Sequence, residues 1–199
     1  YDKKICLFSQ KELEQENPGK EDIYSVGTLC EVRHIRRFDN FLRVKFRGIK
    51  RVKLNNWING SLSDLAEVEI LESEKQDAVE EEALIRMIAD ELDRMQGQDR
   101  FVTKEIVMEI SKGMGGEFLS DKAVQGLPLD IERKQQYLET LGVNDRLMML
   151  LQDMAKEKKM SEVEQQINET VKERIDQGQK DYYLREKMNV IREELGDTV

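Results

Sequence analysis

The chain has 199 residues, of which 39% are hydrophobic and 37% charged, and its 32 Lys and Arg against 41 Asp and Glu give a formal net charge of −9. This length can bury the core of one large domain or of two modest ones. No stretch approaches the roughly 18 consecutive apolar residues of a membrane span, and the first ten residues lack the apolar core of a secretory signal. The sequence therefore argues against membrane-spanning, secreted and collagen-like proteins. Because it begins with Tyr1 and not Met, we expect a piece of a longer protein.

Cysteine usage and charge distribution add two expectations. Cys6 and Cys30 stand alone without Cys-x-x-Cys spacing, which fits a reducing cytoplasm better than a disulfide scaffold. Residues 1–60 contain 13 basic and 8 acidic side chains, whereas residues 61–199 contain 19 basic and 33 acidic ones. Such asymmetry indicates separate surfaces with separate roles.

The first 72 residues have the pattern of an antiparallel meander of four or five strands. Apolar residues alternate with polar ones over short runs that are bounded by turn signals. Asp39-Asn40 and Asn59-Gly60 are the two predicted hairpin turns, since Asn, Asp and Gly tolerate the backbone conformations that tight turns need. The predicted strands are 5–8, 26–38, 41–47 with a continuation through Leu54, and 62–71.

From Gln76 onward the apolar period changes from two to 3.6, which predicts helices over residues 73–142. We expect the first helix to end at Gly97 and two or three shorter helices to follow between Phe101 and Leu141. Glycines at 113–116 and the segment 127–130 separate these helices, with Asp130 as an N-cap. One side of the first helix is formed by Val79, Leu84, Met87, Ile88, Leu92 and Met95.

Residues 143–199 are predicted to form one long helix with a linker. Between Asn144 and Leu195 there is no Pro and a single glycine, Gly178, so the helix extends about 75 Å at 1.5 Å per residue. Its apolar stripe is only one residue wide and consists of Val163, Ile167, Val171 and Ile175. We expect a helix that projects from the body or pairs along one seam as a coiled coil, with a bend or break at Gly178. The expected fold is therefore α+β, in three parts: 1–72, 73–142 and 143–199.

Signatures of catalysis are missing from the sequence. His34 is the only histidine, and two scattered cysteines cannot complete a zinc site. Neither a G-x-x-x-x-G-K-[ST] phosphate loop nor a G-x-S-x-G nucleophile elbow is present. We therefore expect no catalytic residue, no cofactor site and no metal site in these residues.

A basic stretch over residues 33–53 is the first candidate binding surface. It holds nine Lys and Arg against one acid, Asp39. Arg43, Lys45 and Arg47 alternate with apolar residues, which predicts a strand with one cationic face and one face toward the core. This face could bind nucleic acid, polyphosphate or an acidic polypeptide, or it could be the ordinary solvent face of a half-buried sheet.

A second candidate surface lies near the end of the long helix. Tyr182, Tyr183 and Met188 occur there among further apolar residues at helical spacing. Aromatic and Met side chains adapt to varied apolar partners, so we interpret them as contacts for a polypeptide or a neighbouring subunit. Packing within a helix bundle is the alternative.

At these residues the chain resembles a known family. The segments V-G-T-L-C-E-V at 26–32 and G-I-K-R-V-K-L at 48–54 look like the N-terminal domain of bacterial ATP-dependent Lon proteases. The run Tyr182-Tyr183-Leu184-Arg185-Glu186, with Glu194-Leu195-Gly196 after it, is similar to the segment just before the ATPase module of that family. The order of β-rich part, helical part, long helix and tyrosine motif also agrees.

The resemblance implies a PUA-like β-rich subdomain and a role in recognising substrates. The family captures unfolded or degron-bearing proteins, delivers them to an ATPase pore and forms a homohexamer. The resemblance therefore implies a cytoplasmic protein that acts in protein quality control and the stress response and does not bind a membrane. It also places Tyr182, Tyr183 and Met188 near the pore entrance. The strands and helix that begin the family, the ATPase with its ATP and Mg²⁺, and the peptidase with its Ser-Lys dyad have no counterparts in these residues. A nucleic-acid or polyphosphate binder and a structural spacer remain the alternatives.

Overall fold

The computed structural model describes residues 4–58, 60, 64–94 and 104–194. Contacts between residues divide the chain into two compact units, Tyr1–Gln152 and Asp153–Val199. An antiparallel sheet comes first and helices follow, which confirms the predicted α+β class. The elements are β1 (Lys4–Leu7), β2 (Val26–Arg37), β3 (Leu42–Ile58), β4 (Leu65–Leu71), α1 (Ala78–Arg94), α2 (Lys104–Ser111), α3 (Gly116–Gly126), α4 (Ile131–Glu139) and α5 (Val143–Glu194).

The sheet is the predicted meander, with spatial order β1-β2-β3-β4 and antiparallel pairing throughout. The two segments predicted on either side of Gly48 form one strand of 17 residues, β3. The turn at Asp39-Asn40 is present, and the Phe38 N–H donates to the Phe41 carbonyl oxygen at 2.9 Å. The predicted Asn59-Gly60 turn lies partly outside the described residues.

The central strands extend well past their neighbours. β1 pairs only with Thr28–Glu31 of β2, and β4 pairs only with Arg51–Ile58 of β3. Residues 32–37 of β2 and 42–46 of β3 therefore pair with each other, and neither segment pairs with a third strand among the described residues. A two-stranded ribbon thus continues beyond the four-stranded part of the sheet.

The first helix is capped by Asp77 and buries part of its predicted apolar side. The Asp77 carboxylate accepts hydrogen bonds from the Val79 and Glu80 N–H groups at 2.8 and 3.0 Å, which satisfies the first turn of α1. Three side chains at a spacing of four residues, Leu84, Ile88 and Leu92, enter the core.

Two residues assigned to the buried side of α1 are exposed instead. Val79 and Met87 both face solvent, so this part of the prediction is wrong. Val79 precedes Leu84 by five residues, which places it about 140° around the helix. The predicted end of this helix, at Gly97, lies outside the described residues.

Short helices follow as expected. The glycines of 113–116 lie between α2 and the first turn of α3, and residues 127–130 separate α3 from α4. Asp130 is the N-cap of α4, because its carboxylate accepts from the Arg133 N–H at 2.7 Å. On the facing sheet, the Gln135 amide of α4 donates to the Val26 carbonyl oxygen at 2.9 Å and so ties this helix to β2.

Two buried arginines join the sheet to the helices. Arg51 of β3 donates to the Leu138 carbonyl oxygen at 3.2 Å and pairs with the Asp121 carboxylate. Arg146, in the first turns of α5, has no exposed surface and donates to the Thr140 carbonyl oxygen at 2.8 Å. Burial is the main cause that lowers the pKa of Arg146, and the nearby charge of Arg51 lowers it further. The charged form is kept because hydrogen bonds surround it.

The long helix α5 runs over 52 residues without interruption. It continues through Gly178, so the helix does not break there, and a bend at this glycine stays a prediction. In the second compact unit, the stripe residues Ile167 and Ile175 are 56% and 54% exposed, as a seam too thin to form a core predicts. Pairing of this seam as a coiled coil stays a prediction. Within the described residues, no helix combines the length and apolarity that a bilayer crossing demands.

The sole tryptophan lies at the end of β3 that pairs only with β4 among the described strands. Trp57 is opposite Ala66 of β4. Its indole N–H is buried and has no acceptor among the described residues. An unpaired buried donor costs free energy. Hydrogen bonding of buried polar groups is therefore less complete at this end of the sheet than around Arg51.

Replacing Arg146 tests the buried junction. We expect Arg146→Ala to lower the free energy of unfolding by about 3 kcal/mol or more, because carbonyl oxygens buried at Thr140 and Leu141 lose their donor. Urea denaturation followed by circular dichroism measures the change. Arg86→Ala, which removes only an exposed ion pair with Glu82, should change stability by less than about 0.5 kcal/mol. Equal losses in both variants would contradict the assigned role.

Two glycines should respond oppositely to alanine. A Cβ on Gly27 would lie 2.3 Å from the Leu7 carbonyl oxygen and 2.4 Å from the Phe8 ring, whereas a Cβ on Gly178 meets nothing within 4 Å. Gly27→Ala should therefore destabilise the sheet by about 1–3 kcal/mol, and Gly178→Ala should stabilise α5 locally by about 1 kcal/mol. Amide hydrogen exchange around each position measures both effects. Faster exchange in the Gly178→Ala variant than in the unchanged chain would show that this glycine has another role.

Candidate functional site

The clearest candidate surface is the end of the β2–β3 ribbon, residues 32–47, which we call the distal hairpin. Residues directly opposite each other in an antiparallel pair share a face of the ribbon, and successive residues alternate between faces. The register pairs His34 with Lys45 and Ile35 with Val44, and a bulge at Arg33 precedes these pairs. Two chemically different faces follow from this register.

One face of the distal hairpin is cationic. It brings together the three predicted basic-face residues, Arg43, Lys45 and Arg47, and adds Arg36 opposite Arg43. Arg47 shares the carboxylate of Glu31 with Arg33, at N–O distances of 3.3 and 3.1 Å.

Three of these cations have no acidic partner. Within the described part of the chain, Arg36, Arg43 and Lys45 form no ion pair. Their positive charge is therefore available to a ligand, in a chain whose net charge is −9.

An aromatic pair lies at the tip of the cationic face. The rings of Phe38 and Phe41 stack with centroids 4.6 Å apart, and the Arg43 guanidinium carbon lies 5.7 Å from the Phe38 centroid. Both rings remain exposed. Sequence analysis missed this pair, although two phenylalanines flanking a predicted turn were the available signal. The face therefore offers aromatic surface as well as charge.

The opposite face of the distal hairpin is apolar, and it is exposed. Ile35 and Leu42 are 59% and 56% accessible, and Phe46 is also exposed. The expectation that this face packs against the core is therefore wrong. Alternation identifies a two-faced strand, but burial of the second face requires another layer over it, and the helices contact the sheet at Arg51 and Val26 instead. Val32 and Val44 complete the face, which also contains Arg37 opposite Leu42.

A cleft of about 1110 Å³ opens beside the base of the hairpin, between the sheet and α2–α4. Ion pairs of Lys50 with Glu72 and of Lys122 with Glu109 lie at its walls. Its apolar lining includes the strongly exposed ring of Phe118. Further apolar lining residues are Ile49, Leu71 and Met114.

The tyrosine motif belongs to α5, in the second compact unit. Tyr182, Tyr183 and Met188 are 70%, 62% and 51% exposed, and the Lys187 ammonium lies 5.9 Å from the Tyr183 ring. At about 100° per residue, Met188 is some 120° around the helix from Tyr182. The three candidates are thus accessible but do not share one face.

A further apolar set completes this end of the helix. Leu184 and Ile191 are both exposed, and helical spacing places them on the same side as Met188. An apolar partner could therefore contact these three side chains together. The two tyrosines lie on other sides of the helix and would contact a partner that wraps around it.

Reactive groups are scarce in the described chain. Burial raises the thiol pKa of Cys30 and Cys6, which lowers their reactivity. Over residues 4–58, 64–94 and 104–194, no cluster of three His, Cys, Asp or Glu side chains is arranged to hold a metal ion. The surfaces described above can bind a ligand through charged groups, aromatic rings and apolar side chains.

Known proteins resemble this chain over nearly its whole length. It is 32% identical to the Lon protease of Brevibacillus choshinensis over 98% of its own residues and 25% of that protease. The Lon protease of Escherichia coli (strain K12) is 30% identical over 99% of the chain and 25% of its own length. The chain therefore spans about a quarter of the length of these curated relatives.

The fold and the family agree with these relatives. The N-terminal domain of the Mycobacterium avium complex Lon protease has a similar structure, with a TM-score of 0.56 and 20% identity over 75% of this chain and 77% of that chain. A family model described as the substrate-binding domain of ATP-dependent protease La (Lon) matches residues 1–156. The chain therefore belongs to the Lon substrate-binding domain family, as the motifs at 26–32, 48–54 and 182–186 predict.

Proposed function

We propose that this chain is the recognition and assembly region of an ATP-dependent serine protease of the Lon type. On this proposal it captures misfolded, short-lived regulatory or degron-bearing proteins in the cytoplasm, as part of protein quality control and the stress response. The working protease is a homohexamer. ATP hydrolysis with Mg²⁺ and peptide cleavage belong to other parts of the protease, and the residues described here contribute binding.

The exposed apolar face of the distal hairpin carries this proposal. A folded protein keeps its apolar side chains inside, whereas an unfolded one presents them to any exposed apolar surface. Contact with Ile35, Leu42 and Phe46 removes apolar surface of both partners from water, worth about 25 cal/mol per Å². A surface of so few side chains binds weakly and accepts many sequences, which suits a receptor for unfolded clients.

The tyrosine motif supplies a second apolar contact. Tyr182, Tyr183 and Met188 are exposed in α5, and aromatic and thioether groups fit varied apolar partners. Several weak contacts on one long client gain avidity because each later contact is intramolecular. Assembly into a hexamer would multiply these contacts.

Substitutions on each apolar surface test client capture. We expect Ile35→Ser with Leu42→Ser, and separately Tyr182→Ala with Tyr183→Ala and Met188→Ala, to weaken binding of a permanently unfolded protein about fivefold to tenfold. Reduced and alkylated α-lactalbumin serves as the client, and fluorescence anisotropy measures its affinity for the 199-residue chain.

A matched control separates capture from general loss of apolar surface. Val79→Ser with Met87→Ser removes two exposed apolar side chains of α1 and should leave affinity unchanged. Equal weakening by the control, or full affinity after both sets of substitutions, would rule out these two surfaces as the client contacts.

Nucleic acid or polyphosphate is the second candidate ligand, favoured by the composition of the cationic face. Arg36, Arg43 and Lys45 lie without acidic partners in the described chain, next to the exposed Phe38–Phe41 stack. Single strands bind to surfaces that combine cations along the backbone with rings on which bases stack. The basic stretch 33–53 therefore suits a flexible polyanion as well as an acidic polypeptide.

Ionic strength distinguishes this second candidate. If a single-stranded oligonucleotide binds here, the logarithm of its affinity should fall with the logarithm of salt concentration by about 0.7 per phosphate contacted. Charge reversal at Arg43, Lys45 and Arg47 should abolish that binding and spare the unfolded client. An oligonucleotide affinity that changes neither with salt concentration nor with these substitutions would exclude the cationic face as the nucleic-acid binding site.

A further inference from the structure

The outer edge of β3 is open beside the distal hairpin. Residues 42–48 pair with β2 on one side, and pairing with β4 starts only at Arg51 on the other. Among the described residues, no other backbone group hydrogen-bonds to this edge. In an edge strand, alternate N–H and C=O groups point outward, where an added strand could pair with them.

Side chains along this edge alternate strictly in chemistry. Arg43, Lys45 and Arg47 lie on the cationic face, whereas Leu42, Val44 and Phe46 lie on the apolar face. A strand paired to β3 would place its own residues alternately beside these two rows. Its acidic residues would meet the cations and its apolar residues would meet the exposed apolar face.

Basic residues on an edge normally prevent pairing. Lys and Arg on edge strands discourage random association with other chains. Arg43 and Lys45 have no acidic neighbour in the described structure, so pairing with a neutral or basic strand leaves their charge uncompensated. Opposite charges across adjacent strands are favourable and like charges are unfavourable. Pairing at this edge therefore depends on the charge of the partner strand: an acidic strand is favoured and a basic one is disfavoured.

We propose that the open edge of β3 binds extended client segments in which acidic and apolar residues alternate, by addition of the segment as a further strand. This inference rests on the proposed function and names the client class recognised by the distal hairpin. The main chain supplies affinity, and the two rows of side chains supply the preference.

The cleft at the base of the hairpin extends the same path. Gly48, Ile49 and Lys50 belong both to the end of the open edge and to the cleft lining. A segment that pairs with residues 42–47 therefore ends beside this cleft, because β4 occupies the edge from Arg51 onward. The cleft lining includes the exposed ring of Phe118, which offers apolar surface to the client beyond the paired segment.

Matched peptides test the proposal. A ten-residue peptide that alternates Glu with Val is compared with a block-ordered peptide of the same composition and with an alternating Lys–Val peptide. We expect the alternating acidic peptide to bind the chain about tenfold more tightly than either of the others. On binding, amide hydrogen exchange should slow in residues 42–47, which attraction between side chains alone would not cause.

Charge reversal on the protein provides a second, independent test. Arg43→Glu with Lys45→Glu should weaken the acidic peptide about tenfold and shift the preference to the alternating Lys peptide. Lys172→Glu with Lys180→Glu makes the same change in net charge on exposed positions of α5 and should have no effect. The peptide comparison on the unchanged chain decides the question even if the hairpin variant does not fold.

The outcomes separate this inference from the proposed function. Equal binding of alternating and block-ordered peptides, or no slowing of exchange in residues 42–47, overturns strand addition while capture of unfolded α-lactalbumin stands. Binding of an oligonucleotide with no preference among the peptides also overturns it and favours the nucleic-acid candidate. If neither the peptides nor unfolded α-lactalbumin bind, both the inference and the proposed function fail.

Discussion

Burial of two guanidinium groups at the junction of sheet and helices is the interaction on which the first compact unit depends. Arg51 fixes the middle of β3 against α3 and α4, and Arg146 fixes the loop before α5. A buried cation is tolerated only where hydrogen bonds replace its hydration. Serine hydroxyls and main-chain carbonyl oxygens supply that replacement here, since Arg146 also donates to Ser120 and Ser73 at 3.3 and 3.2 Å.

The position of Arg51 also explains why the binding surfaces lie where they do. Helices pack against the sheet on the Arg51 side of β3, so the ribbon beyond Gly48 has no described helix behind it. Both of its faces can then contact a ligand. The strand that Arg51 fixes to the helices thus carries a two-sided surface at one of its ends.

Local patterns in the sequence are sufficient for most of the fold. Period-two alternation locates the strands, and Asp130 marks the start of α4 because its carboxylate caps the helix. The prediction that Val79 faces the core is wrong, because five residues rotate its side chain away from that of Leu84. The helix does not break at Gly178, because a long helix tolerates one glycine at modest cost. Alternation also predicts the cationic row at Arg43, Lys45 and Arg47. It cannot predict that Ile35 and Leu42 are exposed, because this depends on which part of the sheet the helices cover.

Trp57 has a practical consequence for how this protein can be observed. Because it is the sole tryptophan and lies half-buried in the β3–β4 pair, fluorescence excited selectively at tryptophan, and not at the five tyrosines, reports on the sheet. Far-ultraviolet ellipticity at about 222 nm is dominated instead by helices, and α5 contributes 52 residues to them. Two optical signals therefore report on different parts of one chain. A melting curve recorded by both would separate loss of the sheet from fraying of the long helix without any introduced label.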